Sequence, residues 1–343
     1  MTLSPAEVEE QSKNAYAQWK NTWAAHATKN GKLFHKNGTS HQDALYCGVG
    51  KRLLIVATGP SLEAEMENIK KYRDEVDIMC VDKSYHMLVE HGVIPDFVVI
   101  CDAGISYDKY CKPYLEQTKD VTLLSNITAN PDWTHNWKGR IIFFVNKDNI
   151  QTELEYMQLS GVPKSEIIPA GSNVGNSCVI FASQVMGYRA YGLIGYDFGW
   201  RNNQNYYSYD TTTEKRYWMK HMAMIDLNGD IINTSQNLSF SSRWLTDFYR
   251  GILYPAKIEV YNCTDGGTLG VMPRMGLEKF MTLPVDKPTQ EEKSMIASRR
   301  AKHIIVTSEQ GENVLNEVLK SHDVMQVTIT HLPEETAQWL NSI

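Results

Sequence analysis

The chain has 343 residues, 42% of them hydrophobic, which allows one large core with appendages or two domains. No apolar run is long enough for a membrane span, and a net charge of −6 speaks against a nucleic-acid surface. The six cysteines are scattered without a C-x-x-C pair, which excludes the usual zinc spacing. The N-terminus carries acids and no apolar signal core, so a reducing, cytoplasmic setting is expected.

Tyr16, Trp19 and Trp23 recur at helical spacing after Pro5-Ala6-Glu7. They predict a helical arm, about Pro5 to Ala27, within a leading segment 1–48. Such an arm would lie on the main domain or on a second copy of the chain, so a homo-oligomer is one expectation. Asn30–Tyr46 has little pattern. Gly48-Val49-Gly50-Lys51 looks like part of a phosphate loop but precedes a strand, and reads as the loop entering it.

Leu53–Ala57 is apolar and reads as a buried strand of a parallel sheet. Thr58 and Gly59 end it, Pro60 suits the first position of a helix, and Ser61 can cap free N–H groups. A helix is expected from about Leu62 to Tyr72. A strand that turns tightly into a helix aims backbone donors at one spot, which attracts phosphate. An ordinary strand-to-helix turn has the same residues.

Strands follow at Val76–Val81, Phe97–Cys101, Val121–Leu124, Arg140–Val145, Ile167-Ile168, Tyr191–Ile194 and Ile258–Tyr261. Helices are expected at Tyr85–His91, Tyr107–Thr118, Val174–Gly187 and Phe240–Leu253. This alternation predicts an α/β fold over 49–275: a doubly wound, Rossmann-like, mostly parallel sheet with helices on both faces. Phe198–Trp218 reads as a long loop beside the site. Asn228-Gly229 between apolar runs signals a hairpin. Residues 276–343 read as a small C-terminal α/β extension.

In a doubly wound sheet, ligands lie outside the carboxyl ends of the strands. Polar stops fall at those ends here: Gly59-Pro60-Ser61, Asp82-Lys83-Ser84, Asp102-Ala103-Gly104, Ser125-Asn126, Gly171-Ser172-Asn173, Gly195-Tyr196-Asp197 and Thr264–Gly267. Their convergence predicts a nucleotide-type small-molecule site. Asp82, Asp102 and Asp197 could bind ribose, hold Mg²⁺ or act as a general base, or simply cap helices. Tyr206, Tyr207 and Tyr209 could stack on a base or sugar. No G-x-S-x-G elbow, H-E-x-x-H or G-x-G-x-x-G is present, which argues against a serine hydrolase, a zincin or an NAD dehydrogenase.

The runs ATGPSLE and VDKSYHMLVEHGVIPDFVVICDA resemble the DUF115 family. The likeness continues through AGSNVGNSCVIFASQVMGYRAYGLIGYDFGW, NGDIINTS, SSRWLTDFYRG and NCTDGGTLG, about Leu53 to Gly270. That family includes Maf flagellin glycosyltransferases and MptE-like 6-hydroxymethylpterin diphosphokinases. The layout is also similar to bacterial CMP-sugar sialyltransferases. By that resemblance Gly59, Ser61, Ser125, Asn126, Ser172, Asn173 and Gly195 would line a nucleotide, and Tyr206, Tyr207 or Tyr209 would contact its phosphate; Pro60, Asp82 and Gly171, at the same strand ends, complete the expected nucleotide-binding set. The sialyltransferase histidine has no counterpart near Ile232–Gln236, where Asn233 and Thr234 stand. Asp102, Asp197 and Thr234 are then the catalytic candidates. Maf proteins carry larger flanking domains, which leaves the acceptor open.

The leading expectation is a glycosyltransferase using a nucleotide-sugar donor, of the CMP-nonulosonate kind, on an acceptor hydroxyl. The alternative is an ATP-dependent diphosphotransferase, in which Asp82 and Asp102 hold Mg²⁺. A nucleotide-binding module without catalysis is the third.

Overall fold

A computed structural model describes residues 5–37, 40–147, 150–163, 166–200, 221–284, 288–290 and 293. The chain divides into two units, Met1–Asp286 and Lys287–Ile343, and almost all described residues belong to the first. The expected C-terminal extension and the loop carrying Arg201, Tyr206, Tyr207 and Tyr209 fall largely or wholly outside the described residues.

Helix α1 spans Pro5–Asn37. The alternation then runs β1 (Arg52–Val56), α2 (Met66–Lys71), β2 (Asp77–Val81), α3 (Asp82–Glu90), β3 (Phe97–Ile100), α4 (Tyr107–Tyr110) and β4 (Thr122–Asn126). It continues with α5 (Pro131–Asn136), β5 (Ile141–Lys147), α6 (Ile150–Ser160), β6 (Ile167–Pro169), α7 (Val174–Ile180) and β7 (Ala190–Ile194). A hairpin, β8 (His221–Ile225) and β9 (Ile231–Ser235), leads to α8 (Gln236–Phe248), β10 (Glu259–Asn262) and α9 (Leu277–Met281).

Eight strands form one parallel sheet in the order β10-β7-β1-β2-β3-β4-β5-β6. The doubly wound architecture expected from the sequence is therefore present. Leu54, Val56, Ile78, Cys80, Val98 and Ile100 face one core layer, with α1, α2 and α3. Leu53, Ile55, Met79, Val81 and Val99 alternate onto the other, under α7 and α8. The chain walks outward from β1 to β6, then crosses back to place β7 on the other side of β1. Strand order reverses between β1 and β7, which is where such sheets bind ligands.

The arm is longer than its aromatic pattern suggests and lies on its own chain. Asn30 is buried, and its amide donates to the Ile127 and Ala129 carbonyls (2.9 and 3.0 Å) while accepting from Thr134 Oγ1 (2.6 Å). Gly31 lies against the Ser160 backbone so closely that any side chain would collide with it. That close approach holds a helical glycine in place, and α1 runs on to Asn37 through the segment that reads as patternless.

Other differences are local. The helix expected over Tyr107–Thr118 stops at Tyr110, because Pro113 brings no N–H and Tyr114 leaves helical geometry; tighter 3₁₀ turns follow to Asp120. The helix expected from Leu62 begins as a 3₁₀ turn over Pro60–Glu65. The helix after Asn173 widens into π turns at Phe181–Val185. Gly48–Lys51 sits at the amino end of β1, opposite the carboxyl edge, with Lys51 Nζ 3.0 Å from Asp77.

Candidate functional site

The turns after β1 and β7 are joined. Ala57 N–H donates to the Ile194 carbonyl (2.9 Å) and Gly59 N–H to the Gly195 carbonyl (2.9 Å), so the ladder continues past both strands. Gly195 has φ +74°, a backbone that a side chain would strain. A methyl group at Gly59 would strike the Asp197 carboxylate. Ser61 Oγ donates to Asp197 Oδ2 at 2.7 Å, and both side chains are buried. Pro60 opens the turn that presents Ser61. Asp197 is thereby fixed between the two strand ends. On its other side Thr268 N–H donates to the Asp197 carbonyl (3.1 Å), so the turn after β10 closes the same spot.

The first turn of α7 is locked to this floor. Tyr196 N–H donates to Thr264 Oγ1 (3.0 Å), and Tyr196 Oη donates to the Gly175 carbonyl (2.7 Å). Asn173 caps the helix through Oδ1, accepting from Asn176 N–H (2.8 Å). Ser172 has φ +67°, unusual for a residue with a side chain, and is exposed. It donates to Ser241 Oγ (3.1 Å), and Asn176 Nδ2 donates to the Ser241 carbonyl (3.0 Å). Thr268 Oγ1 donates to Ser242 Oγ (3.2 Å). Gly171 packs against the backbone N–H of Ser177 too closely for a side chain. A hydroxyl- and amide-rich wall thus joins α7 to α8. Ser241, Ser242 and Thr268 were not among the residues singled out by sequence as site residues; Ser241 and Ser242 stand in the SSRWLTDFYRG run and Thr268 in the NCTDGGTLG run.

Asp82 and Asp102 follow the adjacent strands β2 and β3. Asp82 is buried and its Oδ1 accepts from Lys83 N–H (2.7 Å). Burial is the largest influence and pushes its carboxyl up to about 7; the Lys83 ammonium opposes it, the Asp102 charge adds a smaller push upward, and the Lys83 N–H opposes least. Asp102 is exposed, and its Oδ1 accepts from Gly104 N–H (2.7 Å). Among the described residues no cluster of three or more His, Cys, Asp or Glu side chains stands ready for a metal. A Mg²⁺ ion held by one or two carboxylates and substrate phosphates needs no such cluster, and the two carboxylates that follow β2 and β3 fit that donor set.

Ser125 and Asn126 end β4, three strand spacings from β1, or about 14 Å at ~4.8 Å per spacing. They share the carboxyl edge but not the β1/β7 turn. Thr234 is fully buried, and its hydroxyl donates to the Phe198 carbonyl (2.6 Å), tying β9 to the segment after β7. Tyr206 and Tyr207 lie outside the described residues. Of the histidines near the site, His135 and His91 each set Nδ1 2.9 Å from a backbone carbonyl, Pro131 and Met87, and His86 is buried between Tyr110 and Tyr114.

No described helix is long and apolar enough to cross a membrane. Among solved structures the chain is similar to a Maf glycosyltransferase from Magnetospirillum magneticum AMB-1, with a TM-score of 0.58 and 16% identity. The match covers 82% of this chain and 41% of that one, so the chain spans less than half the length of this neighbour. At that identity the likeness shows the fold. A search of curated proteins finds no match. The family model described as 6-hydroxymethylpterin diphosphokinase MptE-like matches residues 13–203, more than half of the chain, and the protein belongs to the MptE-like family.

Proposed function

We propose that the protein is a nucleotide-dependent transferase, and foremost a glycosyltransferase that moves a sugar from a nucleotide donor of the CMP-sugar class to an acceptor hydroxyl. The observation that carries this reading is the pair of joined turns at the strand-order reversal, Gly59–Ser61 and Gly195–Asp197, faced by the capped first turn of α7. The likeness to the Maf glycosyltransferase supports it, because 82% coverage reaches beyond the 13–203 segment and draws in part of the chain that follows it.

In this reading Gly59, Pro60, Ser61 and Gly195 form the floor under the nucleotide, and Gly171, Ser172 and Asn173 receive its phosphate at the α7 end. Ser125 and Asn126 extend the same edge toward the far end of the donor. Tyr206 and Tyr207 keep the phosphate-contacting role that the resemblance implies. The acceptor oxygen bonds to the anomeric carbon as the bond from that carbon to the phosphate oxygen breaks. The nucleotide leaves with the electron pair, and exposed Asp102 takes the acceptor's proton. Asp197, fixed by Ser61, positions the floor, and Thr234 braces the Phe198 segment beside it.

A second reading, transfer of diphosphate from ATP, is favoured by one specific observation: the raised Asp82 carboxyl beside Asp102. Asp82 and Asp102 would hold Mg²⁺, which when bound supplies charge neutralisation for the phosphates. The acceptor oxygen would then bond to the β-phosphorus as the bond from that phosphorus to the bridging oxygen breaks, AMP leaving with that oxygen and the electron pair and the acceptor's proton passing to water.

Thermal unfolding with nucleotides separates the two. CMP raising the melting temperature by a few degrees in EDTA supports glycosyl transfer; ATP doing so only with Mg²⁺ supports diphosphate transfer. If neither shifts the curve at millimolar concentration, the nucleotide site is refuted.

A further inference from the structure

We propose that α1 is part of the active site and that Trp19 is the platform on which the acceptor's ring stacks; this rests on the transferase reading above. The acceptor class is a six-membered ring with a stackable face and a nucleophilic hydroxyl beside it. A sugar and a hydroxymethylpterin share that chemistry.

The helix is fixed in place along its length. Asn30 uses both amide donors and its oxygen on the segment after β4. Trp23 meets Tyr156 edge-on at 6.2 Å between ring centres, Tyr16 Oη donates to Glu155 (3.0 Å), and Phe34 meets Phe143 at 6.3 Å. Tyr16, Trp19, Trp23, Asn30 and Phe34 follow one helical stripe. The stripe therefore delivers Trp19, three turns before Asn30, to a defined place.

That place is the turn after β3. A methyl group at Gly104 would lie 2.9 Å from Trp19 Cη2 and 3.4 Å from Asp102 Oδ1. The indole edge and the candidate base flank one point. Gly104 and Asp102 are exposed there, and Trp19 is only half-buried, unlike Trp133 and Trp137 in the same half of the sheet. An indole that served packing alone gains most by full burial. Here it borders a carboxylate at the open carboxyl edge, on the side away from the β1/β7 floor. A ring resting on it would hold its hydroxyl toward Asp102, with the donor's reacting atom arriving from the β1 side.

The test uses the full-length chain with saturating CMP or ATP·Mg²⁺ and two probes, methyl β-galactopyranoside and 6-hydroxymethylpterin, with binding followed by saturation-transfer NMR. One probe should bind the native protein, and its identity tells sugar from pterin. Trp19→Ala should weaken that probe roughly tenfold, the scale of one lost stacking contact, and Trp19→Phe should retain most of the affinity. Gly104→Ala, which displaces the indole tip without removing it from α1, should weaken the probe in the same direction. Nucleotide affinity should be unchanged in all three. Native-level probe affinity in both Gly104→Ala and a folded Trp19→Ala, or binding of neither probe to the native protein, overturns the proposal. Failure of the native protein to bind any nucleotide instead overturns the transferase reading on which it rests.

Discussion

Two buried carboxylates, Glu166 and Asp82, have opposite surroundings. Glu166 sits just before β6, at the amino end of that strand. Its Oε1 accepts from Ser40 Oγ (2.6 Å), and Oε2 accepts from His41 N–H (2.9 Å) and meets His41 Nδ1 (2.6 Å). Burial would raise its pKa, yet the His41 and Ser40 bonds outweigh it and hold the carboxyl below its ordinary value. Asp82, equally buried at the carboxyl edge, is pushed up to about 7 and faces a second carboxylate. A carboxylate with its full set of donors cements the fold. Asp82 keeps a raised pKa although the Lys83 ammonium and N–H favour its charged form, because burial outweighs them, and in this fold the carboxyl edge is where ligands arrive.

Substitutions sharpen this contrast. Asp102→Asn should lower turnover by roughly 10²–10⁴-fold in whichever transfer assay is positive, with nucleotide binding retained, the range typical of losing a general base. If Asp102→Asn turns over within a few fold of the native protein, Asp102 is not the base. Glu166→Gln should cost about 3 kcal/mol at neutral pH in urea unfolding, because His41 and Ser40 lose an ionised partner. The sign follows from its depressed pKa: the contribution is present above the unfolded value near 4.5 and fades as pH falls through the lower folded value. Native and Glu166→Gln stabilities should therefore converge in acid; a constant gap from pH 7 to pH 3 would show that charge is not what the pair supplies. Asp82→Asn makes the comparison direct, since at pH 8 it should cost no stability. Ser61→Ala, which removes the 2.7 Å bond to Asp197, should lose about 1.5–3 kcal/mol, with weaker nucleotide binding as the floor loosens. Unchanged nucleotide affinity in Ser61→Ala would separate the tether from the binding site.

Much of the site was legible because strand ends announce themselves. Apolar runs stopping at Gly, Ser, Asn or Asp fix where the sheet's carboxyl edge lies, and right-handed crossovers bring all those stops to one side. Less legible was which stops touch. Asp197 is a local Gly-x-Asp in the sequence; its bond to Ser61 exists only because β7 pairs with β1 after a crossing back over the sheet. Thr234 reads as a hydroxyl near the site, and only folding shows it bonded to a backbone carbonyl. Trp19 reads as one of three aromatics on an arm, with nothing to say which strand end it meets.

The sequence by itself determined the parallel α/β layers, the carboxyl edge and its cast of polar residues, since these follow from local periodicity and from residues that end strands. Tertiary structure alone decided the strand order, the length and seat of α1, and the difference between Glu166 and Asp82. Those depend on close approaches, such as Gly31 on Ser160 and Gly59 on Asp197, and on the groups around a buried carboxylate, which for Glu166 come from His41, more than a hundred residues away in the chain.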